Sequence, residues 1–168
     1  MRKMVIIMLF LMSASSVSAA LKTNDVAPAF SLPDSAGKDY YLNDILSATA
    51  KEKAGGVIVS FFASWCVPCR QELPLINSLV DELQEKGIKV VLVNVKEDPG
   101  SIIALLSELK VDKPLVLSDR YGRVSEMYQV RFFPTTFFIG RDGRIKDIIF
   151  GEIEGEKELR KSAGRLVH

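Results

Sequence analysis

The chain has 168 residues, 48% of them hydrophobic, which suits one globular domain with a substantial core and excludes an intrinsically disordered chain. Its 22 basic and 21 acidic residues give a formal charge of +1, so the balance of charge does not point to nucleic acid or another polyanion as a partner. A domain of this size folds without a metal or a disulfide staple, which leaves the two cysteines free for chemistry.

At the N-terminus, Arg2 and Lys3 precede an apolar run from Met4 to Met12, followed by the small residues Ser13-Ala14-Ser15-Ser16-Val17-Ser18-Ala19-Ala20. This pattern predicts a secretory signal over residues 1–20, cleaved after Ala19 or Ala20. The run falls short of the about 20 apolar residues of a membrane span, which makes an uncleaved anchor the lesser alternative. Cleavage leaves 20 basic and 21 acidic residues on a near-neutral domain of residues 21–168, exported, with the periplasm as the first expectation.

The rest of the chain alternates between strand and helix patterns. Asp34-Ser35-Ala36-Gly37-Lys38 is a turn cluster between Ala29-Phe30-Ser31-Leu32 and Tyr40-Tyr41-Leu42, predicting an N-terminal hairpin. A short helix is expected over residues 43–50 and a connecting loop over residues 51–56, which end in Gly55-Gly56. Val57 to Phe62 is a wholly buried strand pattern. From Cys69 to about Lys86, Leu73, Ile76, Leu79, Val80 and Leu83 recur at helical spacing, with Gly87 as a stop. Beyond it come a strand at 88–95, a helix at 101–109, a short strand at 114–117 and a short helix at 123–129. Strands at 135–139 and 144–150 flank an Asp142-Gly143 turn, and a charged amphipathic helix spans 154–166. Short apolar strands separated by helices indicate an α/β fold.

The chemistry centres on Trp65-Cys66-Val67-Pro68-Cys69, where the first buried strand ends and a helix begins. The unpaired N–H groups and partial positive charge of a helix N-terminus favour thiolate over thiol. There a cysteine pKa drops from about 8.5 into the range of roughly 3.5 to 7.5. Cys66 is therefore the candidate nucleophile, and Cys69, one turn on, the candidate resolving thiol. Pro68 falls in the first turn, where a missing N–H costs no helix bond, and with Val67 it forms the loop that tunes the pair. A purely structural disulfide is an alternative, though it would close too short a loop to stabilise the chain much. Zinc would need about four ligands, and only one histidine, His168, accompanies the cysteines, which also argues against a Cys-His hydrolase. Copper(I) held by two thiolates is chemically reasonable, without a His or Met cluster to complete the site. No cofactor and no resident metal are expected.

With this motif on a strand-helix junction, the sequence resembles the thioredoxin superfamily and, more closely, its exported TlpA/ResA-like branch. The likeness extends over nearly all of residues 21–168. It rests on Ala27-Pro28-Ala29-Phe30, on Phe61-Phe62-Ala63-Ser64-Trp65-Cys66-Val67-Pro68-Cys69, on Glu72 and Pro74, and on Phe133-Pro134-Thr135-Thr136-Phe137. The resemblance implies a thioredoxin-like α/β fold: a central mixed sheet flanked by helices, an N-terminal β-hairpin, and a short central α-β insert near Pro99 to Asp119. It further implies a cis peptide at Pro134 facing the disulfide, with Trp65, Phe133 and Pro134 contacting substrate. Glu72 matches an acidic residue that the branch uses to accept protons and tune the thiols. From the sequence alone, a first-turn glutamate favouring the helix dipole would explain it as well. Pro74 matches a structural proline that kinks the active-site helix.

One departure from thioredoxin itself is Ser60, at the strand position where thioredoxin has a buried aspartate. That leaves Glu72 as the acidic candidate near the motif. The implied activity is reduction of protein disulfides outside the cytoplasm, such as those met in cytochrome c maturation, by a monomer recharged by a membrane-embedded thiol donor. An oxidant would use the same residues. A copper-binding or redox-silent binding module is a further alternative, as is a thiol peroxidase, because the Ala27 to Phe30 opening also resembles peroxiredoxins.

Overall fold

A computed structural model describes residues 20–51 and 55–167. The expected signal lies outside the described residues except for Ala20, and so does His168. Among the described residues, no helix is long and apolar enough to cross a membrane.

The hairpin forms as expected, from β1 (Ser31–Pro33) and β2 (Asp39–Tyr41) in antiparallel register. Asp34 closes its turn by accepting the N–H groups of Ala36 and Lys38 at 2.8 and 3.0 Å, a local pattern typical of aspartate in turns. This two-stranded sheet is separate from the main one. The main sheet has five strands in the order β5 (Leu115–Asp119), β4 (Ile88–Val95), β3 (Gly56–Phe62), β6 (Thr135–Gly140) and β7 (Ile145–Phe150). β3 pairs parallel to β4 and antiparallel to β6, so it is the central strand and is buried at every position.

Helices cover both faces of the sheet. α1 (Leu42–Lys51) and α4 (Arg123–Met127) enclose one core with Phe30, Phe61, Tyr128 and Phe137. α2 (Val67–Glu85), α3 (Pro99–Glu108) and α5 (Glu156–Gly164) enclose the other, where Leu73, Ile76, Leu79, Val80 and Leu83 line the buried stripe of α2. Alternation along β3 divides its side chains: Val57, Val59 and Phe61 enter the first core, and Ile58 and Phe62 the second. Ser60 shares the register of Ile58 and Phe62 and so faces α2.

α2 starts at Val67, so Pro68 falls in its first turn as expected and Cys66 caps the helix. One boundary differs from the sequence expectation. Gly56 belongs to β3 rather than to the preceding loop. Its φ is +142°, and a Cβ there would lie 2.1 Å from the carbonyl oxygen of Ile139 on β6. Glycine is required by this close approach of two backbones, which the local composition of residues 51–56 could not reveal. Gly56→Ala should destabilise the domain by about 2 kcal/mol or more through that clash and the strained φ, read as a lower denaturant midpoint in equilibrium unfolding.

Candidate active site

β3 runs up the centre of the sheet and ends at Phe62, and the chain turns through Ala63, Ser64 and Trp65 into α2. Cys66 occupies the N-cap with an extended backbone (φ −80°, ψ 109°), and its Sγ accepts the N–H of Cys69 at 3.2 Å. The two sulfurs are bonded to each other, with Cα atoms 5.3 Å apart, so the structure is of the oxidised form. Both cysteines are buried, Cys66 at 5% exposed and Cys69 at 1%, so Cys66 is the more accessible residue of the pair. In the reduced form, the same N–H groups at the end of α2 would stabilise a Cys66 thiolate.

The peptide bond between Phe133 and Pro134 is cis, as the resemblance implied. Pro134 is buried at the start of β6, and its carbonyl accepts the N–H of Gly151 at 2.9 Å, joining it to the end of β7. Trp65 packs edge-on against Phe133 with ring centroids 5.8 Å apart, linking the segment before Cys66 to the segment before Pro134. Trp65, Val67 and Phe132 are 69%, 65% and 68% exposed, so large apolar groups from both segments are left open to solvent. Trp65 is therefore not a core-packing residue.

Glu72 lies in the second turn of α2 and is 1% exposed, which removes the reading of it as a first-turn surface residue that serves the helix dipole. Its oxygens are held by groups from distant parts of the chain. Ser60 on β3 donates its hydroxyl to Oε1 at 3.2 Å, and the N–H of Ile153, between β7 and α5, donates to Oε2 at 2.8 Å. Thr136, directly opposite Ser60 in the β3–β6 register, donates its hydroxyl to the Ser60 oxygen at 3.0 Å. Burial penalises the carboxylate and outweighs these bonds, so Glu72 is pushed up to about 7. Residues three apart share a helix face, so Glu72 and the buried Cys69 are neighbours on the inner side of α2.

Glu97 is a second acidic group that the linear motif did not disclose. It accepts the N–H and the hydroxyl of Ser64 at 2.7 and 2.5 Å and the Asn94 side-chain amide at 2.6 Å. The segment leading into Trp65 and Cys66 is thus anchored to the end of β4. Glu97 is 28 or more positions from the redox motif in sequence, and only the parallel β3–β4 pairing, which sets Asn94 beside Phe62, brings it there. An acidic residue just past a strand that neighbours β3 is the one signal that could have marked it. Among the described residues there is no cluster of His, Cys, Asp and Glu able to hold a metal ion.

Comparison with known proteins agrees with this geometry. The sequence profile of the AhpC/TSA family matches residues 23–148. The thiol-disulfide oxidoreductase ResA of Geobacillus thermodenitrificans is 32% identical over 137 residues, covering 82% of this chain and 74% of that protein. ResA of Bacillus subtilis is 32% identical over 125 residues, or 74% of this chain and 65% of that one. Among solved structures, one described as a thiol:disulfide interchange protein DsbE from Chlorobium tepidum has a TM-score of 0.71 at 29% identity, covering 86% of this chain and 100% of that chain. Peroxidoxin BcpB from Mycobacterium tuberculosis also has a TM-score of 0.71, at 26% identity, with 87% and 96% covered. With its mixed five-stranded sheet, its separate hairpin and the Cys66–Cys69 disulfide at the head of α2, the chain belongs to the thioredoxin-like AhpC/TSA family and is a thiol-disulfide oxidoreductase of the ResA/DsbE kind.

Proposed function

We propose that the protein is an exported reductase of protein disulfides, with residues 1–20 as its signal and residues 21–168 as the working domain. The observation that carries the reading is the disulfide at the N-cap of α2, with its more accessible residue, Cys66, next to exposed apolar side chains suited to a protein partner. In the reduced protein the Cys66 thiolate attacks one sulfur of a substrate disulfide. A mixed disulfide forms, and the substrate's other sulfur leaves as a thiolate and takes up a proton. Cys69 then gives its proton to the Glu72 carboxylate and attacks Cys66 Sγ, releasing the second substrate thiolate and closing the Cys66–Cys69 bond. Two electrons pass to the substrate, and a membrane-embedded thiol protein returns them.

In this reading Trp65, Phe133 and cis-Pro134 contact the substrate segment, which adds its backbone beside Pro134. Val67 and Pro68 set the loop between the sulfurs. Substrates such as the cysteine pairs prepared during cytochrome c maturation suit a reductase of this branch. A peroxidase reading draws on the Ala27 to Phe30 opening and on the likeness to peroxidoxin BcpB, and it requires rapid peroxide consumption by the reduced protein.

Redox titration of the mature domain, followed through Trp65, the only tryptophan, should show a single two-electron transition. A potential below roughly −230 mV is expected, and one near −120 mV would make the protein an oxidant instead. Cys66→Ser should abolish turnover, whereas Cys69→Ser should retain attack and accumulate the mixed disulfide, detectable by mass spectrometry; turnover by Cys66→Ser would overturn the assignment.

The buried Glu72 also predicts a pH dependence of stability. Its folded value of about 7 lies above the ordinary 4.5, so the folded state binds the proton more tightly than the unfolded state does. That contribution is fully present below pH 4.5 and is lost as pH rises through 7. For the oxidised protein the part of this loss that falls between pH 5 and pH 8 should amount to about 2 to 3 kcal/mol. Urea unfolding at pH 5 and pH 8 should show this decline in wild type and a smaller one in Glu72→Gln.

A further inference from the structure

A second, exposed carboxylate belongs to the segment that donates a backbone N–H to Glu72. Glu152 lies in the stretch between β7 and α5, one residue before Ile153, whose N–H donates to Glu72. With its amide turned to donate, Gln71 reaches the two oxygens of Glu152 at 3.1 and 3.3 Å. The residue preceding Glu72 on α2 is therefore tied to the residue preceding Ile153, and the Glu72–Ile153 bond runs beside that tie. Glu72 is buried and Glu152 exposed, so the pair spans the interior and the surface of the same junction.

The other groups that face Glu72 carry no charge. β3 contributes the Ser60 hydroxyl, β6 the Thr136 hydroxyl, and the segment before α5 the Ile153 N–H. On α2 itself Gln71 is neutral, and the Arg70 guanidinium is engaged 2.5 Å from Glu108. Among the described residues, Glu152 is the charged side chain that bears on Glu72 through space, and it disfavours a negative charge there.

We propose that Glu152 is a positioning residue for the dithiol chemistry: held by Gln71 on the segment that donates to Glu72, its negative charge adds to the effect of burial and so raises the pH at which Glu72 begins to accept the Cys69 proton. The inference rests on the proton-accepting role proposed above for Glu72. No redox step is added by it. The proton passes from the Cys69 thiol to the Glu72 carboxylate as before, and Glu152 alters only the pH range in which that carboxylate is ionised.

The test is the pH profile of mixed-disulfide resolution, measured between pH 5 and 9 by stopped-flow with the reduced domain and a model dithiobis-type disulfide. Wild type, Glu152→Gln and Glu72→Gln are compared at low salt and at about 1 M salt. Glutamine at 152 keeps a side chain able to bond Gln71 while removing the charge. Its profile should have a midpoint lower by roughly half a pH unit at low salt, the size expected of one like charge near a partly exposed surface. High salt should move the wild-type midpoint toward that of Glu152→Gln and leave the variant's midpoint nearly in place. An unmoved midpoint in Glu152→Gln overturns the inference, as does a changed plateau rate without movement of the midpoint, which a merely structural role would produce. If Glu72→Gln abolishes the transition while Glu152→Gln leaves it unmoved, the Glu72 reading stands and the Glu152 inference alone fails. Persistence of the transition in Glu72→Gln sinks both.

Discussion

Cys66 caps α2 with a sulfur where a helix would ordinarily take a hydroxyl or carboxylate oxygen, and most of the architecture serves to hold it there. The cap requires a strand that ends abruptly at the sheet's upper edge and a helix that begins without delay. β3 supplies the first by being central, paired along its length to β4 and β6 and unable to shift register without moving an entire buried face. Pro68 supplies the second. The apolar stripe of α2 then fixes the helix against the sheet, so the N–H groups at its head point at a stationary sulfur.

The same packing creates the setting of Glu72. A carboxyl group buried to this degree keeps its place only when its oxygens have donors, and here the donors come from β3, indirectly from β6, and from the segment before α5. These are the elements that meet α2 on its sheet-facing side. Burial and hydrogen bonding pull the proton affinity in opposite directions, and burial prevails, which brings the group to the neutral range where a proton acceptor is most effective. Ser60 suits this arrangement. An ionised aspartate at that position would place a second buried charge beside Glu72.

On the outer side, different constraints operate. Trp65 and Phe133 support each other edge to edge, and Glu97 clamps the segment before Trp65, so the exposed apolar groups beside the disulfide stand on a fixed frame. A fixed frame lowers the ordering cost of engaging a partner chain. Between the two sulfurs, Val67 is exposed and Pro68 is stiff.

Local sequence determined much of this protein: the alternation of apolar strands and amphipathic helices, the hairpin turn at Asp34, the junction carrying Cys66 and Cys69, and, through family likeness, the cis peptide at Pro134. These are legible because periodicity, turn chemistry and a five-residue motif each act over a short span of chain. Tertiary structure alone decided the rest. Glu97 reaches Ser64 through the β3–β4 pairing, and Ser60 meets Thr136 through the β3–β6 register. Gly56 is forced by the backbone of Ile139, and the buried Glu72 takes the N–H of Ile153 from the segment before α5. In each case the deciding partner lies on another element, and a residue's proton affinity or tolerance for a Cβ depends on what surrounds it in space, which its neighbours along the chain do not specify.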